Sequence, residues 1–219
     1  MRTTAILPIK SFAKAKQRLR VELPEYDRRA LVEAMFADTL VALGRVPALE
    51  RVIVVTADRV AQRIAGGYGA SVIEDDERGH NAAAANGIRS LLEDQIERAL
   101  LVPGDCPLLS PDDLNALLNH PVEDRSVLVV PDRHGTGTNA LLLTPPDVLA
   151  SSFGPDSRRR HEADAAAAGI PSEVVYLESL ALDVDTPEDL EALRQTLAST
   201  HGGAAHTRGM LTQLMRAKA

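Results

Sequence analysis

The chain has 219 residues, 45% of them hydrophobic, which is enough for one α/β domain with a full core. Its net charge of −7 argues against general binding to nucleic acid or membrane surfaces, and no apolar run approaches the ~20 residues of a spanning helix. The single cysteine, Cys106, excludes an internal disulfide and fits a reducing cytoplasm. It is expected to be a small buried core residue. No signal peptide is expected at the N-terminus.

Short apolar segments alternate with longer amphipathic ones along the chain. In chain order they predict a strand at 3–9, a helix at 24–43, a strand at 51–56, a helix at 58–68, a strand at 70–73, a helix at 81–92, a strand at 99–102, a helix at 111–119, strands at 127–131 and 140–143, a helix at 157–168, a strand at 174–177 and a helix at 187–197. Strands separated by helices favour right-handed βαβ units and a mostly parallel sheet. Only a short glycine-rich link joins the strands at 127–131 and 140–143, so this pair should be antiparallel and the sheet mixed.

Neither an internal repeat nor a long linker divides the chain, and residues 1–198 are therefore predicted to form one domain. The remainder, 199–219, is predicted to be a loose tail or an arm that packs on a neighbouring subunit. An arm of this kind would make the protein a homodimer.

Five cations lie within the eleven residues 10–20, directly after the first predicted strand. The segment has neither a P-loop pattern nor a dinucleotide-binding glycine pattern, so side-chain cations would have to bind phosphate in place of backbone amides. The alternative is a solvated basic loop. Because such a cluster is unusual in an acidic chain, phosphate binding is favoured.

Carboxylates follow two later apolar segments. Asp105 stands just beyond the strand at 99–102, where open α/β sheets bind ligands, and it could hold a metal ion on a phosphate or simply be a turn residue. Asp183 and Asp185 have an Asp-x-Asp spacing that puts both carboxylates on one face of an extended segment, which suits Mg²⁺. Asp185 or Thr186 could instead cap the helix that Pro187 begins.

Two further segments carry groups suited to anions. Gly-Thr-Gly-Thr-Asn at 135–139 combines close backbone approach with hydroxyl and amide donors, whereas an ordinary hairpin would need only one glycine. Ser157 is predicted to be the N-cap of a helix, and a helix N-terminus binds anions. A capped surface helix is an equally good interpretation of Ser157.

Taken together and in this order, these segments resemble the guanylyltransferase family of deazaflavin coenzyme (F-420) biosynthesis, which acts on 2-phospholactate or phosphoenolpyruvate. The matching pieces are Pro-Ile-Lys at 8–10, Ala-Lys-Gln-Arg-Leu at 15–19, Pro-Gly-Asp-Cys-Pro-Leu at 103–108, Asp-Arg-His-Gly-Thr-Gly-Thr-Asn at 132–139, Phe-Gly-Pro-Asp-Ser at 153–157 with His161, and Asp-Val-Asp-Thr-Pro at 183–187. The resemblance implies a single-domain, Rossmann-like α/β nucleotidyltransferase fold of the nucleotide-diphospho-sugar transferase type. Its sheet would be mixed and mostly parallel, with helices on both faces.

The resemblance also implies roles for individual residues. Mg²⁺ would be held by Asp105, Asp183 and Asp185. The phosphate and carboxylate of the acceptor would be bound by Thr138, Asn139, Gly154, Ser157 and His161. The nucleotide would lie beside Pro8, Lys10, Asn81 and Gly104, and the leaving pyrophosphate would be stabilised by Lys10, Lys16 and Arg18. Gly-His-Asn at 79–81 departs from the Gly-Leu-Asn that the family leads one to expect.

The implied reaction transfers GMP from GTP to the phosphate of phosphoenolpyruvate or 2-phospholactate and releases pyrophosphate. The product would pass to a downstream deazaflavin-transferring enzyme. A phosphate monoester is largely dianionic at neutral pH, so the acceptor needs no general base. The alternatives are another nucleotidyltransferase (for 3-phosphoglycerate, a sugar or a cofactor), a glycosyltransferase using Asp-Val-Asp at 183–185 for its metal, and a non-catalytic nucleotide-binding subunit.

Overall fold

The computed structural model of the chain describes residues 1–76 and 78–218. Within this part, seven strands form one sheet: β1 (Thr3–Pro8), β2 (Arg51–Val55), β3 (Ser71–Ile73), β4 (Arg98–Leu101), β5 (Ser126–Pro131), β6 (Thr138–Thr144) and β7 (Ser172–Val174). The helices of the same part are α1 (Glu25–Leu43), α2 (Arg59–Gly67), α3 (His80–Glu93), α4 (Pro111–Leu118), α5 (Ser157–Ala167), α6 (Glu178–Ala181), α7 (Pro187–Ser199) and α8 (Ala205–Lys218). Two 3-10 turns, Phe12–Lys14 and Gln17–Val21, follow β1.

The strand order is β3-β2-β1-β4-β6-β5-β7. β1 pairs in parallel with β2 and β4, β2 with β3, and β5 with β7, whereas β6 is antiparallel to β4 and β5. The predicted mixed, mostly parallel sheet is therefore confirmed, including the antiparallel pair. Because β6 runs against β4, its first residues lie at the same edge of the sheet as the C-terminal ends of β1 and β4.

Side chains that alternate along each strand supply two separate cores, one on each face of the sheet. Ala5 and Leu7 of β1 pack on the face covered by α1, α2, α4, α7 and α8, and Ile6 packs on the face covered by α3 and α5. Helices on both faces are thus confirmed. Cys106 is fully buried in the first core, as the sequence predicts, and burial raises the pKa of its thiol well above the usual value.

The prediction of a strand at 174–177 is wrong, because β7 covers Ser172–Val174. The chain leaves α5 through Gly169, whose φ of 65° turns it directly onto the edge of β5, so pairing begins with exposed polar residues instead of the later apolar ones. Helix α6 was not predicted. Its four residues are too few to show a helical period.

The segment predicted to be a tail or arm contains α8, which packs on α1 of the same chain through Leu211 and Leu214. The Asp38 carboxylate of α1 accepts hydrogen bonds from the backbone N–H groups of His206 and Thr207 in the first turn of α8, at 3.1 and 2.8 Å. A domain boundary at residue 198 and contact with a second subunit stay predictions. None of the helices in the described part has the length and apolar character needed to cross a membrane.

Candidate active site

A cavity of about 600 Å³ opens at the sheet edge formed by the C-terminal ends of the parallel strands. Its walls are the loop after β1, the N-terminal end of α3, the segment at 103–105 and Asp185. Six residues selected from the sequence line it: Pro8, Lys10, Lys16, Gly104, Asp105 and Asp185. Gly104 is needed for close packing, because a Cβ there would come within 2.4 Å of the Ile9 side chain.

The loop after β1 is held in place by two residues that lie far from it in sequence. Asp58 caps α2 and also accepts a hydrogen bond from the Phe12 backbone N–H at 2.8 Å. Burial by itself would raise the pKa of the Asp58 carboxyl, but hydrogen bonds from three backbone N–H groups lower it below its usual value. Arg28, which is buried in α1, donates to the Ala15 carbonyl at 3.2 Å. The loop is therefore fixed next to the cavity.

Lys16 joins this loop to the carboxylates predicted to bind metal. Its backbone is left-handed (φ 52°), a conformation disfavoured for a residue with a side chain, and its ammonium group lies between Asp105 and Asp185. The Nζ atom is 2.7 Å from Asp185 Oδ1 and also donates to Asp105 Oδ2. Burial alone would lower the pKa of Lys16, but the two carboxylates outweigh that effect and raise it, so the side chain stays charged.

Asp183 is the third of the carboxylates predicted to bind metal. Burial raises the pKa of its carboxyl to about 6, and the negative charges of Asp105 and Asp185 act in the same direction. Asn139 Nδ2 donates to Asp183 Oδ1 at 3.2 Å and to the Leu180 carbonyl at 2.7 Å. Asn139 thus connects β6 to the Asp-x-Asp segment, and the three carboxylates come from the loop after β4 and from the segment before α7.

The capping alternative for Asp185 is decided by the geometry at the start of α7. Thr186 is the N-cap and forms a capping box with Asp189, so neither carboxylate of the Asp-x-Asp pair caps the helix. Asp189 also accepts the Asp185 backbone N–H at 3.1 Å and pairs with Arg133 at 2.5 Å. These contacts fix the backbone of the segment and leave the side chains of Asp183 and Asp185 directed elsewhere.

The donor set suits a divalent cation, although the side chains are not arranged around one. Among residues 1–76 and 78–218, no three His, Cys, Asp or Glu side chains already form a metal-binding group. Three carboxylates against the single charge of Lys16 give a formal net charge of −2 (−3 + 1) in a partly buried place. That excess of negative charge, carried by hard oxygen ligands, fits Mg²⁺.

Thr138 and His161 form the centre of the second group of predicted residues. His161 is fully buried, and its Nε2 accepts the Ser152 backbone N–H at 2.9 Å. A backbone N–H can only donate, so Nε2 carries no proton and Nδ1 must carry it. The pKa of His161 is lowered to about 4 by burial, with the Arg160 charge adding to the effect, which keeps the ring neutral. Nδ1–H therefore donates to Thr138 Oγ1 at 3.0 Å, and the Thr138 hydroxyl proton is free to donate to a ligand.

The prediction that Ser157 is the N-cap of α5 is wrong. The N-cap is Asp156 in a left-handed conformation (φ 53°), and Ser157 is the first helical residue, with its N–H bonded to the Gly154 carbonyl at 3.1 Å. Propensity favours serine as a cap, but here the turn at Gly154 (φ 131°) sets where the helix begins. Arg160 donates to the Ser152 carbonyl at 2.6 Å and thereby holds the loop that carries Gly154.

Phe153 connects the cavity wall to the group formed by Thr138 and His161. Its backbone N–H and carbonyl both bond to the Asn81 side chain, at 2.8 and 3.1 Å. Its ring lies edge to face between His80, which lines the cavity, and His161, with centroid distances of 5.1 and 5.3 Å. Asn81 was selected as a residue beside the nucleotide. The structure places its side chain on the loop of the second group.

The basic residues of the first loop are in different situations. Lys10 and Lys14 are exposed and line the cavity, although Lys14 was not among the selected site residues. Arg18 is exposed on the second 3-10 turn and is not part of the cavity wall. Its role toward pyrophosphate stays a prediction.

Comparison with known proteins adds a family to this geometry. The family model described as "Guanylyl transferase CofC like" matches residues 3–217. The phosphoenolpyruvate guanylyltransferase of Conexibacter woesei is 53% identical, over 99% of this chain and 98% of that protein. The 3-phospho-D-glycerate guanylyltransferase of Colwellia psychrerythraea is 36% identical over 88% of this chain and 91% of that protein. The 2-phospho-L-lactate guanylyltransferase of Methanothermobacter thermautotrophicus is 33% identical over 98% of this chain and 92% of that protein.

Solved structures share the fold. A Desulfovibrio desulfuricans G20 protein with the provisional name nucleotide-diphospho-sugar transferase superposes with a TM-score of 0.76 at 17% identity, over 99% of this chain and 98% of that one. A nucleotidyl transferase from Methanothermobacter gives 0.66 at 15% identity, over 91% and 99%. At this identity the likeness concerns the fold alone, and it confirms the expected nucleotide-diphospho-sugar transferase type.

Proposed function

The chain belongs to the CofC-like guanylyl transferase family, and we propose that it transfers GMP from GTP to the phosphate of phosphoenolpyruvate and releases pyrophosphate. The choice of phosphoenolpyruvate is supported by the 53% identity to the Conexibacter enzyme over nearly the whole of both chains. The observation that carries the proposal is the charged cluster of Lys16, Asp105 and Asp185 on the cavity wall. Asp183, the third carboxylate, links this cluster to the Thr138 group through its hydrogen bond with Asn139. A charged centre between two binding regions is what a transfer between two anionic substrates requires.

The reaction forms one bond and breaks one bond at the α-phosphorus of GTP. An oxygen of the acceptor phosphate bonds to that phosphorus, and the bond to the bridging oxygen breaks, so that its electron pair leaves with pyrophosphate. The acceptor phosphate is largely dianionic at neutral pH and attacks without losing a proton. The fully buried thiol of Cys106 and the neutral, fully buried ring of His161 therefore need no part in proton transfer.

The chain's own residues have to bring two polyanions together. Lys10 and Lys14 on the cavity wall are placed to bind the outer phosphates of GTP, and Lys16 keeps its charge beside the reacting centre. Asp105, Asp183 and Asp185 are the residues that would hold Mg²⁺. When bound, the ion would supply positive charge that offsets the charge developing on the transferred phosphoryl group.

The acceptor is proposed to bind at Thr138, Gly154 and Ser157. Thr138 offers its hydroxyl proton because His161 donates to its oxygen. Gly154 lacks a Cβ and has a positive φ, so its backbone can approach a phosphate or carboxylate closely. The buried His161 orients Thr138, and the buried Asn139 beside it holds Asp183 and the Leu180 carbonyl.

The test is an assay of pyrophosphate release with phosphoenolpyruvate, 2-phospholactate and 3-phosphoglycerate, each with GTP and with ATP. We expect the highest kcat/KM for GTP with phosphoenolpyruvate. Faster turnover of either other acid would overturn the choice of acceptor, and release that needs no acceptor would overturn the transferase itself. A cytoplasmic location, a homodimer and a downstream deazaflavin-transferring partner stay predictions.

A further inference from the structure

One carboxylate oxygen of the cavity wall is buried without a hydrogen-bond partner. Within 1–76 and 78–218, seven buried side-chain polar atoms have no partner, and Asp75 Oδ1 is the one of them whose residue lines the cavity. A buried acceptor without a donor is unfavourable, and such groups in folded proteins are nearly always satisfied. Because Asp75 itself lines the cavity, a turn of its half-buried side chain would present this oxygen to a donor on a ligand.

The position of Asp75 along the sheet indicates which part of a nucleotide would meet it. Asp75 follows β3 at one end of the sheet, while Asp105 follows β4. β2 and β1 lie between these strands, so the two strand ends are three spacings of about 4.8 Å apart, or roughly 14 Å. If the reacting phosphate is at Asp105 and Lys16, the nucleoside extends along the strand ends toward β3 and brings its base to Asp75.

The cavity wall is open enough for a flat ring at this end. Ala57, Gly79 and Ala83 line it with small side chains or none. Gly79 has a φ of 115° and has no heavy atom within 4 Å of the position of a Cβ. None of these three residues places a bulky side chain beside Asp75.

We propose that the Asp75 carboxylate selects guanine by accepting hydrogen bonds from its N1–H and 2-amino groups. This proposal rests on the proposed guanylyl transfer and identifies the residue that reads the base. Guanine presents these two donors side by side, and a carboxylate is an acceptor with two oxygens that can take both. Adenine presents the lone pair of N1 on the same edge, which a carboxylate repels. Selection would therefore act through attraction for guanine and repulsion for adenine.

The test compares nucleotides that differ only at this edge. Inosine keeps N1–H and lacks the 2-amino group, while xanthosine replaces that group with a carbonyl. With phosphoenolpyruvate as acceptor, we expect wild-type kcat/KM to favour GTP over ITP by about 10- to 100-fold, the effect of one hydrogen bond to a charged acceptor. In Asp75→Asn the side-chain amide faces the 2-amino group. The GTP-to-ITP ratio should then fall to within about threefold of unity, and XTP should gain relative to GTP.

Asp76→Asn is the matched control, because it removes the same charge from the next residue, which is exposed and paired with Arg78. This variant should keep the wild-type ratio. A GTP-to-ITP ratio that Asp75→Asn leaves unchanged, even with both rates lowered equally, would overturn the proposal and assign Asp75 a structural role.

Calorimetric binding of GDP and IDP, without acceptor, separates this proposal from the proposed function. If the wild-type chain transfers nothing yet binds GDP more tightly than IDP, and Asp75→Asn abolishes that preference, the assignment of Asp75 stands and the transferase fails. Equal affinity of the wild-type chain for GDP and IDP, or binding of neither, would overturn the assignment of Asp75.

Discussion

The two halves of the site are built in opposite ways. On the cavity side the groups are charged. Lys10 and Lys14 are exposed on the wall, and Lys16 forms ion pairs with two carboxylates. On the Thr138 side the groups are neutral and nearly buried, with Thr138, His161 and the Ser152 backbone joined in one hydrogen-bonded chain.

This difference matches the demands of the two proposed substrates. GTP is cleaved and its two outer phosphates are released as pyrophosphate. The cations that bind them must therefore be able to exchange one anionic partner for another. A small acid whose phosphate must attack in line needs donors held at fixed positions. The contrast predicts that changes on the cavity side reduce turnover most, and that changes on the Thr138 side mainly raise the KM for the acceptor.

The largest effect is expected for Asp105→Asn. This change removes one of the three carboxylates and an ion-pair partner of Lys16, so kcat should fall by about 10³-fold, as for loss of a group that stabilises transition-state charge. Pyrophosphate release measures the effect, and circular dichroism should show an intact fold. Asp112→Asn, on an exposed position of α4, is the matched control and should retain activity. Near wild-type turnover of Asp105→Asn would rule out the metal-binding role.

A smaller loss is expected for Lys16→Met. The methionine keeps most of the length of the side chain but leaves Asp105 and Asp185 without their cation, so kcat should fall by about 10²-fold. Lys14→Met, from the same loop, should change kcat little and raise the KM for GTP by a few fold, because Lys14 is exposed and contributes as one of several charges. Steady-state kinetics on both variants checks the pair. Equal effects would mean that the two ion pairs of the buried Lys16 side chain give it no special role.

His161→Phe tests the Thr138 side. The change keeps an aromatic ring but removes the donor that orients Thr138, so we expect the KM for phosphoenolpyruvate to rise about tenfold, with the KM for GTP unchanged. His201→Phe, between α7 and α8, is the exposed control. A rise in the KM for GTP alone would contradict the separation of the two sides.

The same variant carries a pH-dependent stability effect. The pKa of His161 is lowered from 6.5 to about 4 in the folded state, so between these values the unfolded chain binds a proton that the folded chain does not. The stabilising contribution of neutral His161 is complete above pH 6.5 and declines as the pH falls toward 4, by about 3 kcal/mol in all. Urea unfolding at pH 7 and pH 4 should show wild type losing that much more stability than His161→Phe. A parallel loss in both proteins would exclude this titration.

The sequence was informative where a candidate site residue lies close to the end of a recognisable strand or in a glycine-rich link. Asp105 could be found because ligands bind beyond the carboxyl ends of sheet strands, and Thr138 because it belongs to the Gly-Thr-Gly-Thr-Asn segment. Asp58 and Asp189 were not selected, because their roles depend on contacts such as Asp58 with Phe12, 46 residues away. The capping role of Ser157 was predicted wrongly because a left-handed Asp156, and not side-chain propensity, begins α5. The proton position on His161 follows only from the three-dimensional contact with Ser152.

The smallest effect is expected for substitution of Asn81. This residue tests most directly where the cavity side ends and the Thr138 side begins. The resemblance assigns it to the nucleotide, whereas its side chain holds both backbone groups of Phe153 at 2.8 and 3.1 Å. Asn81→Ala should therefore loosen the loop that carries Gly154 and raise the KM for phosphoenolpyruvate by about 3- to 10-fold, the effect of one or two neutral hydrogen bonds. Asn86→Ala, a half-buried position of the same helix whose side chain contacts the Glu74 carbonyl and Arg89 and not Phe153, is the control. A raised KM for GTP with an unchanged KM for phosphoenolpyruvate would return Asn81 to the nucleotide side. Since Phe153 also touches His80, equal rises in both values would mean that the two sides are mechanically coupled through this one ring.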